Sequence, residues 1–232
     1  MDSSDSFRDP ERALEPDPRS NHLVKFEDYT QVPQPISLAD QHDAVVRFKL
    51  NAAVPEEVAI HFETAKNLYL YAWFVFRFYP VAEQQALTSL EFALREKLVD
   101  FIKEYKERHP KAGPLGLARL LSHARAEGLI RNEALNRQAW AFRAARQRYV
   151  SEKINEMIAA DLNEMEFDDS HVVPSEADLQ HDWLGVLVKA IPGIRNDYAH
   201  GSPTLHHTVL HTFDVVSQLI NQLYPEAGVS GK

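Results

Sequence analysis

The sequence predicts an all-α protein, an antiparallel helical bundle preceded by an irregular N-terminal arm. Three observations carry that expectation. From Pro55 to Tyr224 the apolar residues recur at helical spacing. Prolines and glycines interrupt that pattern and leave short connections, which favour antiparallel neighbours. The first 35 residues hold Pro10, Pro16, Pro18, Pro33 and Pro35 among many charges and show no period, so extended or disordered chain is expected there. The boundaries drawn are residues 1–53 for the arm and 54–232 for the bundle.

Val45-Val46-Arg47-Phe48-Lys49-Leu50 is β-branched and aromatic, which suits a short strand or a clip against the body. Pro55-Glu56-Glu57 opens the first long helix. Proline fits the first turn, and the acids sit at the positive end of the helix dipole. This helix is expected to run to about Tyr79. Its segment Leu68 to Phe76 is apolar nearly all round, which implies burial on several sides or in a dimer interface. Pro80 separates it from a second helix reaching about Arg108, in which Leu87, Leu90, Leu94, Leu98, Phe101 and Ile102 keep helical spacing. A shorter helix spans Pro114 to Ala126 and closes at Gly128. A long one follows over about Asn132 to Met165. Ser175, with Asp178 three residues on, has the pattern of a capping box and starts the penultimate helix. Gly201-Ser202-Pro203 interrupts, and the last helix runs from about Leu205 to Tyr224.

The chain has no cysteine. That excludes disulfides, thiolate metal sites and a cysteine nucleophile, and it fits a cytoplasmic location. The start, Met1 to Ser6, is acidic and lacks the apolar core of a secretory signal. No apolar run is long enough to span a membrane, so no membrane partner is expected. The net charge of −9 argues against nucleic acid, yet it is unevenly spread. Residues 161–182 carry eight acids and neither Lys nor Arg. Residues 131–153 carry Arg131, Arg137, Arg143, Arg146, Arg148 and Lys153 against Glu133 and Glu152. The second stretch is either a solvated helix face or a local phosphate-binding surface.

The most specific motif is Arg195-Asn196-Asp197-Tyr198-Ala199-His200-Gly201, set between two helical runs. A guanidinium can hold phosphate oxygens in bidentate fashion, and an imidazole can move protons near neutral pH. Together with the earlier segment Ser89 to Glu96 (Ser-Leu-Glu-Phe-Ala-Leu-Arg-Glu), this arrangement resembles the HEPN superfamily of α-helical bundles over about residues 54–225. The resemblance implies an HEPN-like fold and a metal-independent endoribonuclease or RNA-binding protein, with toxin–antitoxin or anti-phage roles. It implies that Arg195 stabilises developing phosphorane charge, that His200 acts as general acid or base, and that Asn196 orients the phosphate or the histidine. It also implies a homodimer pairing two copies of the motif, and an antitoxin or other protein as partner. Toxins of that superfamily silenced by adenylylation tend to carry a tyrosine two residues after the histidine. Here that position is Ser202, and Tyr198 lies inside the motif instead.

Arg143, Arg146 and His207 are the candidate substrate-binding residues. His207 and His211, spaced i, i+4 beside His206, have a zinc-like spacing, but no third ligand is evident, and neither a metal nor another cofactor is expected. Glu91 and Arg95 form either an ordinary intrahelical pair or, through Glu91, a support for Arg195. The aromatic residues from Tyr69 to Tyr79 are expected to pack rather than to stack on bases. The alternative to an RNA-directed function is a non-catalytic protein-interaction module in which Arg195 and His200 are structural.

Overall fold

A computed structural model describes residues 5–26, 32–166, 168–199 and 205–226. Its regular elements are overwhelmingly helical. They are α1 (Leu38–Val46), α2 (Glu56–Tyr71), α3 (Phe78–Lys97), α4 (Val99–Arg108), α5 (Leu117–Ala126), α6 (Arg137–Ala159), α7 (Glu176–Leu179), α8 (Trp183–Ala199) and α9 (Leu210–Leu223). A small antiparallel hairpin, β1 (Val24–Phe26) with β2 (Pro33–Pro35), precedes them. Among the described residues no helix is long and apolar enough to cross a membrane.

The central element is α3, which packs on α2, α9, α8 and α5. Its buried face alternates small and large residues. Ala82, Ala86 and Ala93 let neighbouring helices approach, and Leu87, Leu90 and Leu94 fill the remaining space. Helix α2 meets it with Val58, Phe62, Ala65 and Tyr69, a stripe at helical spacing. Helix α9 contributes Phe213, whose ring centroid lies 5.9 Å from those of both Phe62 and Tyr69. Burying such a ring completely is worth roughly 1.5–3 kcal/mol.

Much of the apolar segment after residue 68 packs within the chain, although Tyr71 is exposed. Tyr69, Ala72, Trp73 and Phe76 are buried in the core or beneath the N-terminal segment. The chain leaves helical conformation after Tyr71, and Pro80 falls in the first turn of α3, where its missing N–H costs nothing. The turn between the two helices is held by residues 17–20. The Asp17 N–H and the Ser20 hydroxyl donate to the Trp73 carbonyl at 2.9 and 3.0 Å, and the Phe76 N–H donates to the Asp17 carboxylate at 3.3 Å. Asp17 is fully buried, and Arg19 donates three hydrogen bonds to its carboxylate, two from the guanidinium and one from the backbone N–H. Asp5 adds contacts to Arg19 and Arg77.

Residues 38–46 are helix, so Val45 and Val46 end α1 instead of starting a strand. Ser37 and Asp40 close a reciprocal capping box at its start. Buried Gln41 fastens α1 to the core. Its amide donates to the Tyr69 carbonyl at 2.6 Å, and its oxygen accepts from the Tyr79 hydroxyl at 2.7 Å.

The capping box at Ser175 and Asp178 is also present, but it opens only the short α7. The helix that carries the motif begins again at Trp183, where the Asp182 carboxylate accepts from the Gly185 N–H at 2.9 Å. A Cβ on Gly185 would lie 2.2 Å from that carboxylate, so a larger residue there would have to displace the cap.

Candidate functional site

The site lies where α3 faces α8 and the start of α9. Two carboxylates of α3, Glu83 and Glu91, organise it. They are eight residues apart, about 80° around the helix axis, and both meet side chains of α8.

Glu91 receives two arginines. Arg95, one turn on, binds its Oε1 at 2.7 Å and also donates to the Leu115 carbonyl. Arg195 approaches its Oε2 at 3.2 Å. The intrahelical pair expected between Glu91 and Arg95 is present, and the alternative contact from Glu91 to Arg195 coexists with it. One carboxylate between two guanidiniums leaves the trio with an excess positive charge. The Arg195 side chain remains 35% exposed, so its outer edge is accessible.

Glu83 is buried, at 6% exposure. The Tyr198 hydroxyl donates to its Oε2 at 2.5 Å, and the Thr212 hydroxyl donates to its Oε1. His206 Nε2 lies 2.8 Å from the Tyr198 oxygen and 3.5 Å from the carboxylate. A phenol has one hydrogen. Giving it to Glu83 leaves the tyrosine oxygen to accept from the His206 Nε2–H, and the buried Nδ1 has no partner among the described residues. Burial first, then the Glu83 carboxylate, pushes the Tyr198 phenol well above its ordinary pKa, so it remains a donor. This network was missed in the sequence, although a signal existed. Extending the Leu87–Leu94 stripe back by one turn lands on Glu83, a carboxylate at a core position.

The other motif positions divide. Asn196 lies on α8 with its side chain exposed. His200 lies outside the described residues, as does Ser202.

Of the candidate substrate-binding residues, Arg143 and His207 line one hollow, and Arg146 lies apart from it. Arg146 pairs with Asp169, and its neighbour Arg148 makes two 2.6 Å hydrogen bonds to Asp178. The acidic segment thus folds back onto the basic face of α6 and occupies those two arginines. Arg143 differs. Its Nη1 lies 3.0 Å from His211 Nδ1, and no carboxylate pairs with it among the described residues. His207 packs near Phe76 and Tyr79. Burial first, then His206, pushes its pKa below the ordinary histidine value. It is therefore a weak anion ligand at neutral pH.

The three neighbouring histidines face different partners: His206 the Tyr198–Glu83 pair, His207 the aromatic wall, and His211 Trp140 and Arg143. Among the described residues no group of three or more His, Cys, Asp or Glu side chains is arranged to hold a metal.

No family model matches the chain, and no curated protein or solved structure matches it.

Proposed function

We propose that the protein is an HEPN-like, RNA-directed helical protein that cleaves RNA without a metal. The observation that carries this reading is Arg195, a motif arginine aimed by Glu91 yet left with an accessible edge, in a trio whose single carboxylate is shared by two guanidiniums. Such a cation is suited to a phosphodiester whose charge grows during 2′-hydroxyl attack. His200, five residues on, supplies the acid–base group, and Asn196 supplies an amide at the same helix end. Pairing two motifs requires a homodimer. With much of the Leu68 segment committed to the core, the exposed apolar pair Ile154 and Ile158 on α6 is the surface we assign to a second copy.

A non-catalytic interaction module, with a protein partner such as an antitoxin, is the second reading. It is favoured by the ion pair itself, because Glu91 already satisfies Arg195 in part.

Single-stranded RNA incubated with the protein in EDTA tests both. Cleavage by the parent and its loss in Arg195→Ala and His200→Ala, with helical circular dichroism retained, support the enzyme. An intact RNA in every sample supports the module. Cleavage abolished by EDTA would overturn the metal-free mechanism.

A further inference from the structure

A separate groove runs between α6 and α8. Trp140, Arg143 and Gln147 form one helical face of α6, and Trp183 and Leu187 face them from α8, with His211 of α9 at the end. Its volume is about 300 Å³, within the range of small-molecule sites. The two indoles meet edge to face, at 6.0 Å and 88°. The indole N–H groups of both Trp140 and Trp183 are buried and have no hydrogen-bond partner among the described residues. On the far side of the Arg143–His211 pair a second hollow of about 590 Å³ opens toward His207 and Gln41.

The charge at this junction is unbalanced. Arg146 and Arg148 have carboxylate partners, whereas the described contact of Arg143 is an imidazole. Desolvation, then Arg143 itself, pushes the His211 pKa down, so that imidazole is neutral near pH 7 and does not offset the guanidinium. Asp214, the acid that follows on α9, accepts from Gln218 at 2.8 Å. An aromatic-walled groove ending at an uncompensated guanidinium is complementary to a flat heterocycle that carries an anion.

We propose that this groove binds a nucleotide, with the base against Trp140 and Trp183 and the phosphate on Arg143. Base–aromatic contact tolerates any base, since each has a π-face. The phosphate supplies the charge-assisted hydrogen bonds that fix orientation. The ligand can be a free mononucleotide or one residue of an RNA strand. Neither Arg195 nor His200 is required, so the site stands independently of the cleavage reading.

Titration of the full chain with AMP and UMP tests it, read by tryptophan fluorescence and calorimetry. Trp73, buried beneath the N-terminal segment, is the remaining tryptophan, so the quenching reports mainly the groove. Saturable quenching is expected, with affinity about tenfold weaker for adenosine and for Arg143→Ala. Trp183→Leu should weaken binding and remove much of the signal. Arg195→Ala should bind AMP as the parent does, whether or not RNA is cleaved. A 2′-O-methyl oligonucleotide that displaces AMP assigns the site to RNA, and one that does not assigns it to free nucleotide. No saturable response to AMP, UMP or the oligonucleotide at millimolar concentration, or unchanged AMP affinity in Arg143→Ala, would overturn the proposal.

Discussion

Replacing Glu83 by alanine removes a carboxylate that joins α3 to both α8 and α9. Two hydroxyls, those of Tyr198 and Thr212, donate to it. Hydrogen bonds to a charged acceptor contribute roughly 1.5–3 kcal/mol each, and removing a buried charge returns part of that as relieved desolvation. Tyr198 keeps His206 as a partner, whereas the Thr212 hydroxyl is left without its acceptor. The expected loss for Glu83→Ala is therefore about 3 kcal/mol. In a chain of this size that lowers the melting temperature by roughly 6–12 °C. Glu83→Gln keeps the volume and one acceptor oxygen, and its NH₂ can donate to the Tyr198 oxygen, so about 1 kcal/mol is expected. Urea unfolding followed by far-UV circular dichroism measures both. Amide exchange in the last two turns of α8 should accelerate in Glu83→Ala more than in α2, because the tether to α8 is what was cut. An alanine variant within about 0.5 kcal/mol of the parent, or exchange changed equally everywhere, would refute the network as the anchor of the motif.

Two further outcomes follow from α7 and α8. Gly185→Ala should bring no stabilisation, because its Cβ displaces the Asp182 carboxylate and the lost cap, about 1 kcal/mol, cancels the gain in helix propensity. Gly193→Ala, with nothing within 4 Å of the new Cβ, should stabilise the same helix by about 0.5–1 kcal/mol, and thermal melts of the pair decide between these effects. Arg148 first, then Ser175, holds the Asp178 carboxyl well below its ordinary 3.8. Its stabilisation is present above that value and lost as pH falls through the folded-state pKa. The acid limb of a stability–pH profile should therefore flatten in Asp178→Asn, and an unchanged limb would contradict the pairing.

The helices were legible because their apolar period and their punctuation agree. Gly128 does adopt the left-handed conformation, at φ 66°, that closes a helix. Helix α1 was obscured by reading Val45 to Leu50 as a unit, although Ser37 and Asp40 form the same capping box that was recognised at Ser175 and Asp178. The hold of residues 5–22 on the bundle was not legible. Asp17 finds Trp73 and Phe76 across more than fifty residues, and no local period encodes such a contact. At the site, Glu91 drew notice as a charged residue in an otherwise apolar helix, but its sequence spacing favoured the pair with Arg95, and the contact to Arg195 emerges only once α8 is placed. The two tryptophans of the groove were not, since residues 140 and 183 meet only after α6 and α8 are placed.

The charge pattern illustrates the same limit and changes what an RNA surface on this protein can be. From composition, residues 161–182 oppose a polyanion from a distance. In the fold they do so by contact, through Asp169 on Arg146 and Asp178 on Arg148. The two contacts differ in strength. Arg146 and Asp169 are both partly exposed, and such pairs are worth about 0–1 kcal/mol, so a phosphate can displace the acid. Asp178 is tied by two bonds to Arg148 and by the capping box to Ser175, so Arg148 is not available in the same way. Arg148 is therefore withdrawn from a phosphate and Arg146 is held only loosely, while Arg143 at the groove and the Arg95–Glu91–Arg195 trio are further cations open to it. Leu187 of the groove and Arg195 are eight residues apart on one helix, about 12 Å along its axis and roughly 80° around it. A single strand with a base in the groove must turn around α8 to reach Arg195. With Arg148 occupied and Asp169 competing for Arg146, binding should depend less on salt than the count of arginines in α6 suggests.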